Sequence, residues 1–143
     1  MSNEAHYTGD VDVDQMIDIM SPKLINTVKK IFGFKNFKKN WDNLGAKKID
    51  EFCIKQAISF LLVIDETNIG TPQTMPTSTG GIRFEWLTEK KDLIIEIDSD
   101  SLLIEFFNPL QKLEFAEMYS KQDSSSMNSF LETVKDIMIN FSN

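Results

Sequence analysis

Between residues 82 and 107 the apolar residues of this chain recur at every second position, in three runs separated by gaps of hairpin length. Ile82, Phe84 and Trp86 alternate with Arg83 and Glu85. Leu93, Ile95 and Ile97 alternate with Ile94 and Glu96, and Leu102, Ile104 and Phe106 alternate with Leu103, Glu105 and Phe107. Successive side chains of a strand point to opposite faces, so the pattern predicts an antiparallel meander with one buried face. Thr88–Asp92 and Asp98–Ser101 are the hairpin connections. Asn108-Pro109 breaks the run, and Leu113 to Tyr119 offers a fourth strand.

On either side the period changes to that of a helix. Ser21-Pro22 is a helix start, with Ser21 expected to accept a backbone N–H and Pro22 at the first helical position. Leu24, Ile25, Val28, Ile31 and Phe32 follow at 3.6-residue spacing, and Gly33 is expected to close the helix in the left-handed conformation. Asp50 is placed to cap a second helix whose stripe is Cys53, Ile54, Ala57, Ile58, Leu61 and Leu62. Residues 67–81 hold two prolines and three glycines and are not helix. Met127, Phe130, Leu131, Val134, Ile137, Met138 and Phe141 mark a C-terminal helix, polar on its other side. The fold class is therefore α+β: a three- or four-stranded antiparallel meander packed against amphipathic helices.

A length of 143 residues suits one domain, and 41% hydrophobic residues allow it a packed core. The charge divides it further. Residues 1–20 carry five acidic groups and no lysine or arginine, whereas residues 23–48 carry eight lysines against Asp42 alone. The expected organisation is an acidic, partly flexible arm over residues 1–20 and a single α+β domain over residues 21–143. A net charge of −7 excludes a generally basic nucleic-acid coat. No apolar run approaches the roughly 18–20 residues that span a bilayer, and no apolar region near the start reads as a secretory signal. The expected location is the cytoplasm, with no membrane contact.

Two segments carry a resemblance. Asn40-Trp41-Asp42-Asn43-Leu44-Gly45-Ala46 precedes the second helix, and Pro76-Thr77-Ser78-Thr79-Gly80-Gly81-Ile82-Arg83-Phe84-Glu85-Trp86 leads into the hairpins. Over residues 40–98 the chain resembles a group of small uncharacterised bacterial proteins with an N-W-D-G-x-G-A turn and a P-T-x-x-G-G-I-x-x-E-W strand motif. Asn43 stands where the group has Gly, and Leu44 where an aromatic is common; Asn tolerates a left-handed backbone better than most residues. The resemblance implies the same fold and brings no catalytic assignment. It also points towards bacterial conflict systems and mobile elements. Read as structure, Asp42 accepts N–H groups of its own turn, and Trp41 plugs the core beside the second helix.

Little in the sequence signals catalysis. The single histidine, His6, lies in the arm, so a Ser-His-Asp or Cys-His arrangement is not expected. Cys53 sits on an apolar stripe and reads as a buried, inert thiol. No phosphate-cradling glycine motif is present, and no cofactor or metal is expected. Asp10 to Asp14 looks like half a calcium loop but lacks its central Gly and its twelfth-position Glu. Glu85, Glu96 and Glu105 occupy the outward phase of three strands and would form an acidic row if the strands paired in register. Such a row, with Asp98 and Asp100, is the only arrangement offering divalent-metal chemistry; a solvated outer face is the simpler reading.

Two surfaces remain as binding candidates. Ile94, Leu103 and Phe107 share the outward phase with Glu85, Glu96 and Glu105, and apolar groups among acids suggest a surface that something covers. A helix of this chain, a second copy or a partner would serve. The second surface is Lys35, Phe37, Lys38, Lys39 and Trp41, where lysines interleave with aromatics as in nucleic-acid sites, although the acidic body opposes nucleic acid as a partner. The expectation is a non-enzymatic acidic protein-binding module that blocks or escorts a partner with a basic surface, of inhibitor, antitoxin or immunity type. The alternatives are a metal-dependent enzyme using the acidic face and a nucleic-acid accessory using residues 29–41.

Overall fold

The computed structural model describes residues 21–65, 69–109, 112–121 and 125–141. The acidic arm, with His6 and the Asp10 to Asp14 run, lies outside them. Helix α1 (Pro22–Gly33) starts where expected, with the Ser21 carbonyl accepting the Leu24 N–H at 3.1 Å. The Ser21 hydroxyl does not cap it. Instead it donates to Asp65, and the Ser21 backbone N–H donates to the other Asp65 oxygen at 3.0 Å. A carboxylate is the stronger acceptor, so Ser21 fastens the start of α1 to the end of the second helix. Gly33 is not left-handed either: its φ is −68°, and the chain continues into a 3-10 turn over Phe34–Asn36. Burial of Phe34 in the core keeps the backbone coiling past the glycine.

Helix α2 (Glu51–Asp65) is capped by Asp50, whose Oδ1 accepts the Phe52 N–H at 2.8 Å. Before it, Asp42 Oδ1 accepts the N–H groups of Leu44 at 2.8 Å and Ala46 at 3.0 Å. Asn43 takes a left-handed φ of 62°, which its short polar side chain permits. Trp41 is half-buried against the core, edge-on to Phe37 at 5.3 Å, and its Nε1 donates to the Lys47 carbonyl at 3.1 Å.

Five strands follow: β1 (Gln73–Pro76), β2 (Ile82–Leu87), β3 (Asp92–Ile97), β4 (Ser101–Asn108) and β5 (Leu113–Ser120). They form one antiparallel sheet in sequence order, with β1 and β5 at its edges. The meander is thus one strand longer than the widest sequence reading. Pro72, Pro76 and Gly70 give β1 the signature of a turn, yet proline is tolerated at an edge, where its missing N–H costs no ladder bond. The β1–β2 turn packs on the Trp41 loop: Lys47 N–H donates to the Ser78 carbonyl at 2.8 Å and Asp50 N–H to the Gly80 carbonyl at 2.9 Å. Residues 40–46 and 76–86 therefore form one structural unit.

Helix α3 (Ser126–Phe141) ends the described chain. It and α2 lie on the same sheet face, joined by rings. Phe60 of α2 stands 5.5 Å from Phe84 of β2 and 5.8 Å from Phe130 of α3, and Tyr119 of β5 meets Phe130 edge-on at 5.8 Å. Phe84, Ile95 and Ile104 are wholly buried beneath them. The result is two layers, helices over one face of a sheet. No helix among the described residues is long and apolar enough to cross a membrane.

Candidate protein-interaction face

The register decides which side chains meet on the other face. One cross-strand row runs Met75, Arg83, Glu96, Leu103, Met118. The next runs Gln73, Glu85, Ile94, Glu105, Ala116, and a third runs Leu87, Asp92, Phe107, Glu114. Acidic and apolar groups alternate across the strands, so Glu96 faces Leu103, Ile94 lies between Glu85 and Glu105, and Phe107 lies between Asp92 and Glu114. No two carboxylates are directly opposed, the arrangement that would cost most between neighbouring strands.

The structure thus gathers all six residues singled out for this surface (Glu85, Ile94, Glu96, Leu103, Glu105 and Phe107) on one face. It does not set the three glutamates in one row. Glu96 sits one row away from Glu85 and Glu105 because the two-residue turns at Glu89-Lys90 and Ser99-Asp100 pair Arg83 with Glu96 and Ile94 with Glu105. Arg83 fills the space between rows. Its Nε donates to Glu85 and its Nη1 to Glu96, each at 2.6 Å. Partial burial by itself would lower the Arg83 pKa, but its hydrogen bonds to the Glu85 and Glu96 carboxylates hold it above the ordinary value. A guanidinium therefore stands where a metal-bound reading would want a cation. Among the described residues no group of three or more His, Cys, Asp or Glu side chains could hold a metal ion.

Five carboxylates and this one guanidinium make the face strongly acidic. Its apolar members are not sealed: Phe107 is 44% exposed, Leu87 56% and Met118 67%. No described helix covers them, since α2 and α3 pack on the opposite side. Leu87, Asp92, Glu114 and Met118 were not singled out in the sequence. The signal was there for two of them, because Glu114 and Met118 keep the phase of Phe107 and Leu103 once the fourth predicted strand is allowed to join the meander.

The lysine–aromatic segment is arranged differently. Phe34 and Phe37 meet edge-on at 5.6 Å, and Phe37, Trp41 and Phe34 all turn toward the core. The Lys35 ammonium lies 3.9 Å from the centroid of the Phe32 ring. Lys38 and Lys39 are exposed. Phe34, Phe37 and Trp41 are core plugs with lysines around them, while Phe32 is 39% exposed beneath Lys35.

Cys53 is fully buried, and burial chiefly, against the opposing attraction of Lys121, pushes its thiol pKa up to about 12. The Lys121 ammonium reaches the Cys53 sulfur at 3.8 Å and also donates to Gln56, while burial lowers its own pKa. A thiol held protonated is a poor nucleophile. At pH 8 the thiolate fraction is roughly a thousandfold below that of a thiol titrating near 9, so iodoacetamide should label native Cys53 far more slowly than the urea-unfolded chain. Rapid native labelling would refute the burial. The same shift has a sign in stability. The unfolded thiol titrates near 9 and the folded one at about 12, so the stability Cys53 lends is complete below pH 9 and lost as pH climbs towards 12. Lys121, shifted downward, acts in the opposite sense as the pH rises towards its ordinary value.

Comparison with known protein families, with curated proteins and with solved structures finds no match to this chain.

Proposed function

We propose that this chain is a non-enzymatic protein-binding module that docks the acidic outer face of its sheet on a basic surface of a partner and so blocks or escorts it. The observation that carries the reading is the checkerboard itself: carboxylates interleaved with exposed Phe107, Met118 and Leu87 on a sheet face that no described helix covers. A protein interface combines a few apolar anchors with charges that steer the encounter. Phe107, set between Asp92 and Glu114, has the make-up of such an anchor: its ring would enter a pocket while the flanking acids meet lysines or arginines. Arg83 holds Glu85 and Glu96 in place, so part of the ordering cost of the acidic surface is met before a partner arrives. A protein that works by covering a basic surface is of inhibitor, antitoxin or immunity type, and acts sterically.

The test is capture from the native cell extract at low and moderate salt by the tagged full chain, followed by titration of the purified partner. The expected result is one stoichiometric, basic partner, bound more slowly as salt rises, with Phe107→Asp weakening it by about thirtyfold or more while the circular dichroism and melting temperature stay unchanged. Lys38→Glu, remote from the face, should leave it intact. Capture of the same partner by the folded Phe107→Asp and Ile94→Asp variants would remove this face from the function.

A further inference from the structure

A second site lies at the β1 edge of the sheet, in the groove between α1 and β1. It has a volume of about 440 Å³ and is walled by Asn26, Thr27 and Lys30 on the helix and by residues 72–75 on the strand. Clefts of roughly 300–1,000 Å³ hold small molecules. Among the described residues, Lys30 is the one charged group that lines the groove and no carboxylate does, in a chain that carries −7 overall. Helical periodicity places Lys23, seven residues earlier, on the same side of α1. Asn26 and Gln73 add carboxamides, which donate and accept.

Thr74 points to a ligand independently. It lines the groove and is 3% exposed, yet among the described residues its buried hydroxyl has no hydrogen-bond partner. Buried hydroxyls are paired in the great majority of cases, so one left unpaired beside a cavity is open to a water or to a ligand group that the cavity receives. The walls are held in place beforehand. Ser21 ties α1 to Asp65, and Trp86 Nε1 donates to the Gly70 carbonyl at 3.0 Å just ahead of β1.

The strand itself says what kind of molecule fits. Thr77 N–H bonds to the Gly81 carbonyl, so alternation along β1 turns the backbone of Met75 and Gln73 towards β2 and that of Pro72, Thr74 and Pro76 outward. Two of those three outward positions are prolines, with no N–H to give. An added peptide strand would find one donor where it needs several, whereas a small molecule needs only the one. We infer that the α1–β1 groove binds a small anionic molecule whose carboxylate or phosphate meets Lys30 and whose acceptor atom takes the Thr74 hydroxyl. Gln73 and Met75 also stand at the β1 end of two outer-face rows, but the anchor Phe107 lies on β4, so Phe107→Asp should leave the anion bound and Lys30→Glu should leave the partner bound.

The experiment is titration of the ¹⁵N-labelled full chain with inorganic phosphate, succinate and neutral acetamide in separate arms, read by amide shifts. At least one anion should saturate the signals of Asn26, Thr27, Lys30, Gln73 and Thr74 below about 10 mM, while acetamide does not. The phosphate and succinate arms decide which anionic group the groove prefers. Lys30→Glu should weaken that binding by about tenfold or more, and Lys38→Glu should not change it. Thr74→Val should weaken the anion and raise the melting temperature of the free protein, because it removes an unpaired hydroxyl. The proposal is overturned if neither anion saturates these amides, or if the shifts survive Lys30→Glu and spread equally over Lys35 to Lys39.

Discussion

Phe84→Ala should lower the unfolding free energy by about 3–5 kcal/mol, a large part of the roughly 5–15 kcal/mol that holds an ordinary domain folded. Phe84 is wholly buried in the middle of β2, with Phe60 at 5.5 Å and Trp86 at 6.2 Å. Its ring joins the sheet layer to α2, and through Phe60 to Phe130 of α3. Alanine leaves a cavity between layers that rigid rings from three elements cannot close. The informative partner is Phe107→Ala. That ring stands on the outer face at 44% exposure, and its removal should change stability by no more than about 0.5 kcal/mol. Urea denaturation of the two variants separates the faces. A cost at Phe107 as large as at Phe84 would mean that something in the protein already covers the outer face, and the docking surface would have to be abandoned.

The contrast between these two phenylalanines was legible in the sequence, because alternation fixes the face of every strand residue. It does not fix the register. Which outward residue opposes which depends on the lengths of the two turns, and a four-residue gap in the sequence does not say how many residues the turn consumes. That is why the six residues of the face could be read but the row of three glutamates could not, and why the Arg83 bridge to Glu85 and Glu96 came only with the coordinates. β1 escaped for the opposite reason. Its prolines and glycines are turn residues by local preference, and only pairing along Arg83 to Glu85 makes the segment a strand. The groove beside it was equally hidden, since it needs α1, which ends at Gly33, and β1, which begins at Gln73, to be set side by side. Ser21 shows the same limit at one residue. Its capping role is a local rule, and a distant carboxylate, Asp65, outcompetes it.

Gly81→Ala should destabilise the protein by about 2–4 kcal/mol although it adds a single methyl group. A Cβ at this position would stand 2.4 Å from the Ile97 carbonyl oxygen and 3.0 Å from the Asp98 Cα. Both are backbone atoms of the neighbouring strand and its turn, so no side chain can swing aside. The sheet must part where Ile82 pairs with Ile97, at the hairpin end that carries Arg83 and Glu96. Gly33→Ala supplies the opposite sign. Nothing lies within 4 Å of a Cβ there, and its φ of −68° suits alanine, so it should stabilise by about 0.5–1 kcal/mol. The second glycine of the Gly80-Gly81 pair is therefore set by the closeness of two strands, not by a binding loop. If Gly81→Ala keeps full stability but loses a bound partner, that assignment is wrong, and the Pro76–Gly81 turn belongs to the functional surface instead.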